Sequence, residues 1–124
     1  MHAFRLMLLA AWIAVLAVTA YALQAQGTAA GEIFMADIKA LSWRAQFNTD
    51  FLAHLLVFAV WVAWRGRFRP AAVLLGAACV LGGGVFSMIY LFILSLLARG
   101  DATALLLGSR KAQATSAHST GYTP

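Results

Sequence analysis

Three long apolar stretches separated by short polar connections organise the chain: residues 6–23, 47–64 and 71–98. The first holds only Thr19 and Tyr21 as polar-capable side chains. As a helix it would extend about 27 Å, enough with its flanks to cross a hydrocarbon core of roughly 30 Å. The second carries Asn48, Thr49, Asp50 and His54 near its start and is apolar beyond them. The third has no charge but is interrupted by Gly82-Gly83-Gly84. At about 42 Å it exceeds the core, so it must tilt, kink near the glycines or extend into a headgroup layer. A re-entrant hairpin folding back at the glycines is the sharper alternative, and it requires the backbone freed at the bend to be buried in protein. The expected fold class is all-α: an integral membrane protein with three transmembrane helices, the second and third forming an antiparallel hairpin about the 65–70 loop.

The connections carry their own signals. Within residues 24–44, Gly27 and Gly31 mark a turn, after which Ile33, Phe34, Ile38 and Leu41 approximate one helical face. A short helix over 32–42, lying on the membrane surface with Trp43 at headgroup level, competes there with an ordinary ordered loop. Residues 1–100 thus read as a single membrane domain. Residues 101–124, rich in Ser, Thr and Ala towards the end, read as a polar tail expected to be disordered. The first segment has a rival reading as a secretory signal, because Arg5 precedes the apolar run and Ala20-Tyr21-Ala22 fits a small-x-small cleavage site. Its length, beyond the usual 7–15 residue signal core, favours an uncleaved helix.

Composition settles the solvent. The 124 residues are 63% hydrophobic and only 10% charged, far from the roughly 45–50% and 25% of soluble domains. A chain this small cannot cover so much apolar surface in water, whereas a bilayer removes the need. The net charge of +5 comes from residues between and after the apolar runs, with no basic stripe interleaved with aromatics, so nucleic acid is not an expected partner. The lone Cys79 excludes an intrachain disulfide and reads as a small packing residue.

Charge also bears on orientation. Arg65, Arg67 and Arg69 crowd one short loop, where the positive-inside bias is strongest. This places that loop and the N-terminus in the cytoplasm and the 24–44 connection outside. Three crossings then leave Arg99, Arg110 and Lys111 outside with Lys39 and Arg44, against the same bias, so total charge does not decide the matter.

Ionisable residues within membrane helices are costly and point to function, and here Asp50 and His54 qualify. Their i, i+4 spacing puts them on one helical face with Phe58, Trp61 and Arg65. In an antiparallel hairpin, Asp50 would sit level with Val85 to Ser87, and His54 with Leu81 to Gly84. Ser87 or Tyr90 would then reach the carboxylate. Gly76, Cys79, Gly83 and Ser87 form a small-residue flank of the kind that permits close helix packing. The plainer reading makes Asn48, Thr49 and Asp50 a helix N-terminus, with His54 bonded to the acid or to a backbone carbonyl. A proton or small-solute relay and a metal or haem ligand are the functional alternatives. Metal is disfavoured for want of ligands, since His2 and His118 lie outside the apolar runs. No GxSxG, HExxH, CxxC or phosphate-binding glycine loop occurs, so neither an enzyme nor a cofactor is expected.

The residues Phe47-Asn48-Thr49-Asp50-Phe51, Trp61-Val62-Ala63-Trp64-Arg65 and Tyr90-Leu91 resemble small bacterial inner-membrane proteins of uncharacterised activity. In these an Asp opens a helix, Trp plus a charged residue closes it, and an aliphatic-Tyr-Leu stretch ends the next. The resemblance covers 46–100 and departs from proline-containing versions in having Met88-Ile89 before Tyr90. It implies a multi-pass inner-membrane location and no reaction. The expected role is an accessory or scaffolding subunit packing against a membrane-protein partner or a second copy. A small transporter or channel component using Asp50 and His54 is the alternative.

Overall fold

A computed structural model describes residues 1–108, and these are helical with no strand. The elements are α1 (His2–Gln26), α2 (Ala30–Lys39), α3 (Trp43–Arg65), α4 (Pro70–Leu97) and α5 (Ala102–Leu107). Three of them, α1, α3 and α4, are long and apolar enough to cross a membrane. Only 6% of the apolar window of α1, and 17% of those of α3 and α4, is buried inside the chain. Their remaining surface needs an apolar surrounding rather than water.

The starts and stops follow local chemistry. Pro70 sits in the first turn of α4, where its missing N–H costs nothing and its fixed φ suits a helix. Helix α3 begins at Trp43 after Ser42, with no side-chain cap. Asp50 therefore lies two turns inside the helix, not in its first turn as the Asn48-Thr49-Asp50 sequence suggests. Hydropathy marks where a helix enters apolar surroundings, while Arg44 and Gln46, good helix formers, extend it outward. Helix α2 forms where the amphipathic 32–42 pattern predicts one, and Asp37 pairs with Arg44 at 3.3 Å to fasten it to α3.

The chief departure from a simple bundle is inside α4. Gly83 has φ 55° and ψ −142°, a combination open essentially to glycine alone. The chain reverses there. Along the first arm, a Cβ on Gly66 would strike that of Ala72, Gly76 lies against the Ala59 backbone, and Gly83 faces the Phe51 ring. Partner numbers on α3 therefore fall as those on α4 rise. Along the second arm they rise together, because Tyr90 packs edge-on against Phe58 with ring centroids 6.3 Å apart and Trp61 packs on the cluster of Leu94. Gly76 and Tyr90 thus reach the same level of α3 from opposite directions. The arms contain about 13 residues each, some 20 Å of helix, roughly two-thirds of a hydrocarbon core.

Helix α1 runs against the second arm. Arg5 meets Ser95, Trp12 meets Val85, and Val15 lies beside Gly84. At the end holding Arg5 and Arg65, a small core of Leu94, Ala98 and Leu105 gathers Phe4, Trp61 and Tyr90 around it. Leu105 belongs to α5, within the stretch expected to be disordered tail. Asp101 caps that helix by accepting from the Ala104 N–H at 3.0 Å, and burial of Leu105 holds it in place. The remainder of the expected tail, 109–124, lies outside the described residues.

Backbone polar groups released by a break in an apolar helix must find partners. The Ser87 hydroxyl lies 3.4 Å from the carbonyl of Cys79, in the last turn of the first arm, and donates at 2.8 Å to that of Gly83 one turn behind it. Trp12 Nε1 donates to the Val85 carbonyl at 2.9 Å and ties α1 to the second arm. Ser87→Ala removes the first of these donors. It is expected to cost about 0.5–1.5 kcal/mol in denaturant titrations of the detergent-solubilised protein. Ser87→Thr, which keeps the hydroxyl, should recover most of the loss.

Candidate functional site

The residues singled out in the sequence fall into three separate places. Asp50 and His54 form a local pair on α3. His54 Nδ1 lies 2.8 Å from the Asp50 carbonyl oxygen and 3.6 Å from Asp50 Oδ1. The two side chains are 59% and 77% exposed, respectively. His54 is midway along α3, and Asp50 lies about 6 Å nearer the α2 end. Asp50 also borders an open cleft of about 580 Å³ between α2 and α3, with Ser42, Gln46 and Thr49 along it and Ile38 and Leu41 on the facing side.

Ser87 and Tyr90 do not join that pair. Ser87 serves the bend, and Tyr90 is hydrogen-bonded to Arg65 near the opposite end of α3. The level assigned by a straight antiparallel hairpin fails for both, because each follows the reversal at Gly83. The small-residue flank divides in the same way. Gly76 provides close contact with α3, the fully buried Cys79 fills the space between arms, and Gly83 makes the turn.

The third place is the end of the molecule carrying Arg5, Arg65, Arg67, Arg69 and Arg99. Arg65 emerges from the last turn of α3 and donates from Nε to the Leu105 carbonyl at 2.8 Å and from Nη2 to that of Ala104 at 3.3 Å. These bonds satisfy carbonyls near the end of α5, where a cation is favoured. Arg67 and Phe68 both have left-handed φ, 61° and 54°, so the loop makes a tight reversal. Arg67 and Arg69 are exposed. The corresponding anchor for α1 is Arg5, whose Nη2 donates to the Ser95 carbonyl at 2.7 Å and whose Nε reaches Ser95 Oγ at 3.3 Å. Ser95 is fully buried and donates in turn to the Phe92 carbonyl at 2.7 Å.

The sequence offers Arg5 only as an isolated charge before an apolar run and gives no reason to pair it with Ser95. The available signal is that Ser95 is the one hydroxyl in the last two turns of the third run. Among the described residues no group of three or more His, Cys, Asp and Glu side chains is placed to hold a metal ion. The arrangement at Asp50 and His54 can exchange a proton or accept a polar partner; that at the arginine end can attract anions. No protein-family model matches the sequence, and no match to it was found among curated proteins or solved structures.

Proposed function

We propose that the chain is a membrane subunit that works by packing against another membrane protein or a second copy of itself. The observation carrying this reading is the exposure of Asp50 and His54, 59% and 77%, inside a helix long and apolar enough to span a bilayer. A carboxylate at the centre of such a helix costs about 2.5–3.5 kcal/mol on insertion scales, and one near the end correspondingly less. A polar group on a neighbouring helix offsets that cost. The largely uncovered apolar faces of α1 and α3 give the neighbour a surface to pack on.

In this reading α1 and α3 cross the bilayer. The arm 70–82 pairs antiparallel with α3, and the two arms of α4 enter and leave by the same face. Leu81, 89% exposed beside the bend, then ends in hydrocarbon rather than water. Arg5, Arg65, Arg67, Arg69 and Arg99 gather on one side, and Lys39 and Arg44 lie on the other with Glu32 and Asp37. The positive-inside bias makes the arginine side cytoplasmic, in a bacterial inner membrane, the location implied by the family resemblance. The hydrogen bonds from Arg5 and Trp12 to α4 favour an α1 that stays attached.

Native mass spectrometry of the protein released from mild detergent is expected to show a dimer or a stoichiometric partner. A strictly monomeric protein with no companion overturns the reading. Asp50→Asn should weaken that association and lower membrane abundance together. The open cleft beside Asp50, with Ser42, Gln46 and Thr49 along it, supports a second reading, transport of protons or a small cation. That reading requires instead that Asp50→Asn abolish a flux at unchanged abundance.

A further inference from the structure

At the arginine end a cavity of about 300 Å³ opens between the last turn of α3, the first turns of α4 and the returning arm. Its walls divide by chemistry. Val62, Ala72 and Leu75 are apolar, whereas Arg65, Arg69 and Tyr90 supply two guanidinium groups and a phenol. Tyr90 and Arg65 are hydrogen-bonded to each other, which fixes both around the opening.

The start of α4 adds to the positive character. Arg69 is its N-cap residue in extended conformation, no side chain accepts from the first turn, and Ala71 and Ala72 line the cavity. Pro70 has no N–H and the Ala72 N–H donates to the Arg69 carbonyl at 2.9 Å, so the helix start contributes through the positive end of its dipole. No acidic side chain lines the space. Among the described residues, Asp101 is the one acid at this end of the molecule, and it caps α5. A cavity of this size lies at the small end of ligand sites, with room for a headgroup and not for a whole lipid. Leu75, which lines it, and the neighbouring Leu74 expose 40% and 70% of their surface, a path for acyl chains.

We propose that this cavity binds the phosphate-ester headgroup of an anionic phospholipid in the leaflet at the arginine end. Arg69 contacts the phosphate oxygens. Arg65, whose Nε and Nη2 are committed to the Leu105 and Ala104 carbonyls, adds its charge from the cavity wall, where the Tyr90 hydroxyl helps to hold it. The acyl chains run along Leu74 and Leu75. Arginine suits the task because its planar fork matches two phosphate oxygens at once. The inference needs the bilayer placement of this end and is independent of any protein partner.

The test is native mass spectrometry of the full chain from mixed micelles containing phosphatidylglycerol or phosphatidylcholine, with inorganic phosphate as a separate competitor. One phosphatidylglycerol per chain should be retained about tenfold more strongly than phosphatidylcholine, a difference of about 1.4 kcal/mol. Arg69→Gln should remove the preference and Arg69→Lys should restore part of it. Tyr90→Phe should weaken it. Arg67→Gln, which changes an exposed residue outside the cavity, should leave it within twofold. Equal losses from Arg67→Gln and Arg69→Gln would mean diffuse attraction to the loop and overturn the site. So would equal retention of the two lipids. Displacement by millimolar inorganic phosphate would reassign the cavity to a soluble anion and overturn the lipid.

Discussion

A cysteine replacing Arg99 is expected to react with a membrane-impermeant maleimide from the same face of the membrane as one replacing Arg67, and a cysteine replacing Glu32 only from the opposite face. The native Cys79 is fully buried and is replaced by Ala so that each variant carries one thiol. The expectation follows from the reversal at Gly83 and from contacts that tie both arms of α4 to the same part of α3. If α4 instead crossed straight, Tyr90 would lie some 20 Å from Leu75 along the helix. The two residues in fact line one cavity, together with Arg65. A straight crossing would also carry Arg99 away from the side holding Arg65, Arg67 and Arg69, against the charge bias. The difference is close to all-or-none in labelling. Modification of the Arg67 and Arg99 positions from opposite faces would replace the re-entrant arrangement with three full crossings.

The apolar runs made the three long helices legible, since a stretch of that length and composition has few other uses. The reversal was only half legible. Gly82-Gly83-Gly84 marks where α4 is weak, but an uncharged run of 28 residues has the same hydropathy whether it tilts, kinks or folds back. The choice is made by tertiary partners that no single segment displays: Ala59 for Gly76, Phe58 for Tyr90 and Trp12 for Val85. The same limit explains the candidate cluster. Asp50 and His54 are near in sequence and stay together, whereas only a straight α4 would bring Ser87 and Tyr90 to their level, and the reversal at Gly83 carries both away. Helix α5 was hidden because its burial depends on Leu94 and Ala98, although Asp101 followed by Leu105, Leu106 and Leu107 carries the pattern of a capped, partly buried turn.

Alanine at Gly76 and alanine at Gly83 are both expected to destabilise the protein, for separable reasons. At Gly76 the obstacle is space. A Cβ there would lie 2.7 Å from the Ala59 carbonyl oxygen and 3.4 Å from the Ala59 Cα. These are backbone atoms of a helix and cannot turn aside, so α3 and the first arm of α4 must separate along their closest contact. Overpacking of this kind costs about 1–3 kcal/mol. At Gly83 there is room, since the nearest atom to a Cβ is on the Phe51 ring at 3.5 Å. There the obstacle is backbone conformation, because φ 55° with ψ −142° strains any L side chain by about 1–3 kcal/mol. Unfolding in mixed micelles of increasing SDS content, followed by tryptophan fluorescence, should give lower midpoints for both single variants. The double variant should lose nearly the sum, as the two glycines have different partners. Gly83→Ala should also leave Arg99 on its original side, because the Arg5–Ser95 and Arg65–Leu105 bonds hold the second arm independently of the bend. A Gly83→Ala protein as stable as the parent would show that the reversal does not depend on glycine. An unchanged Gly76→Ala protein would remove the close approach of α3 and α4 on which the first arm is built.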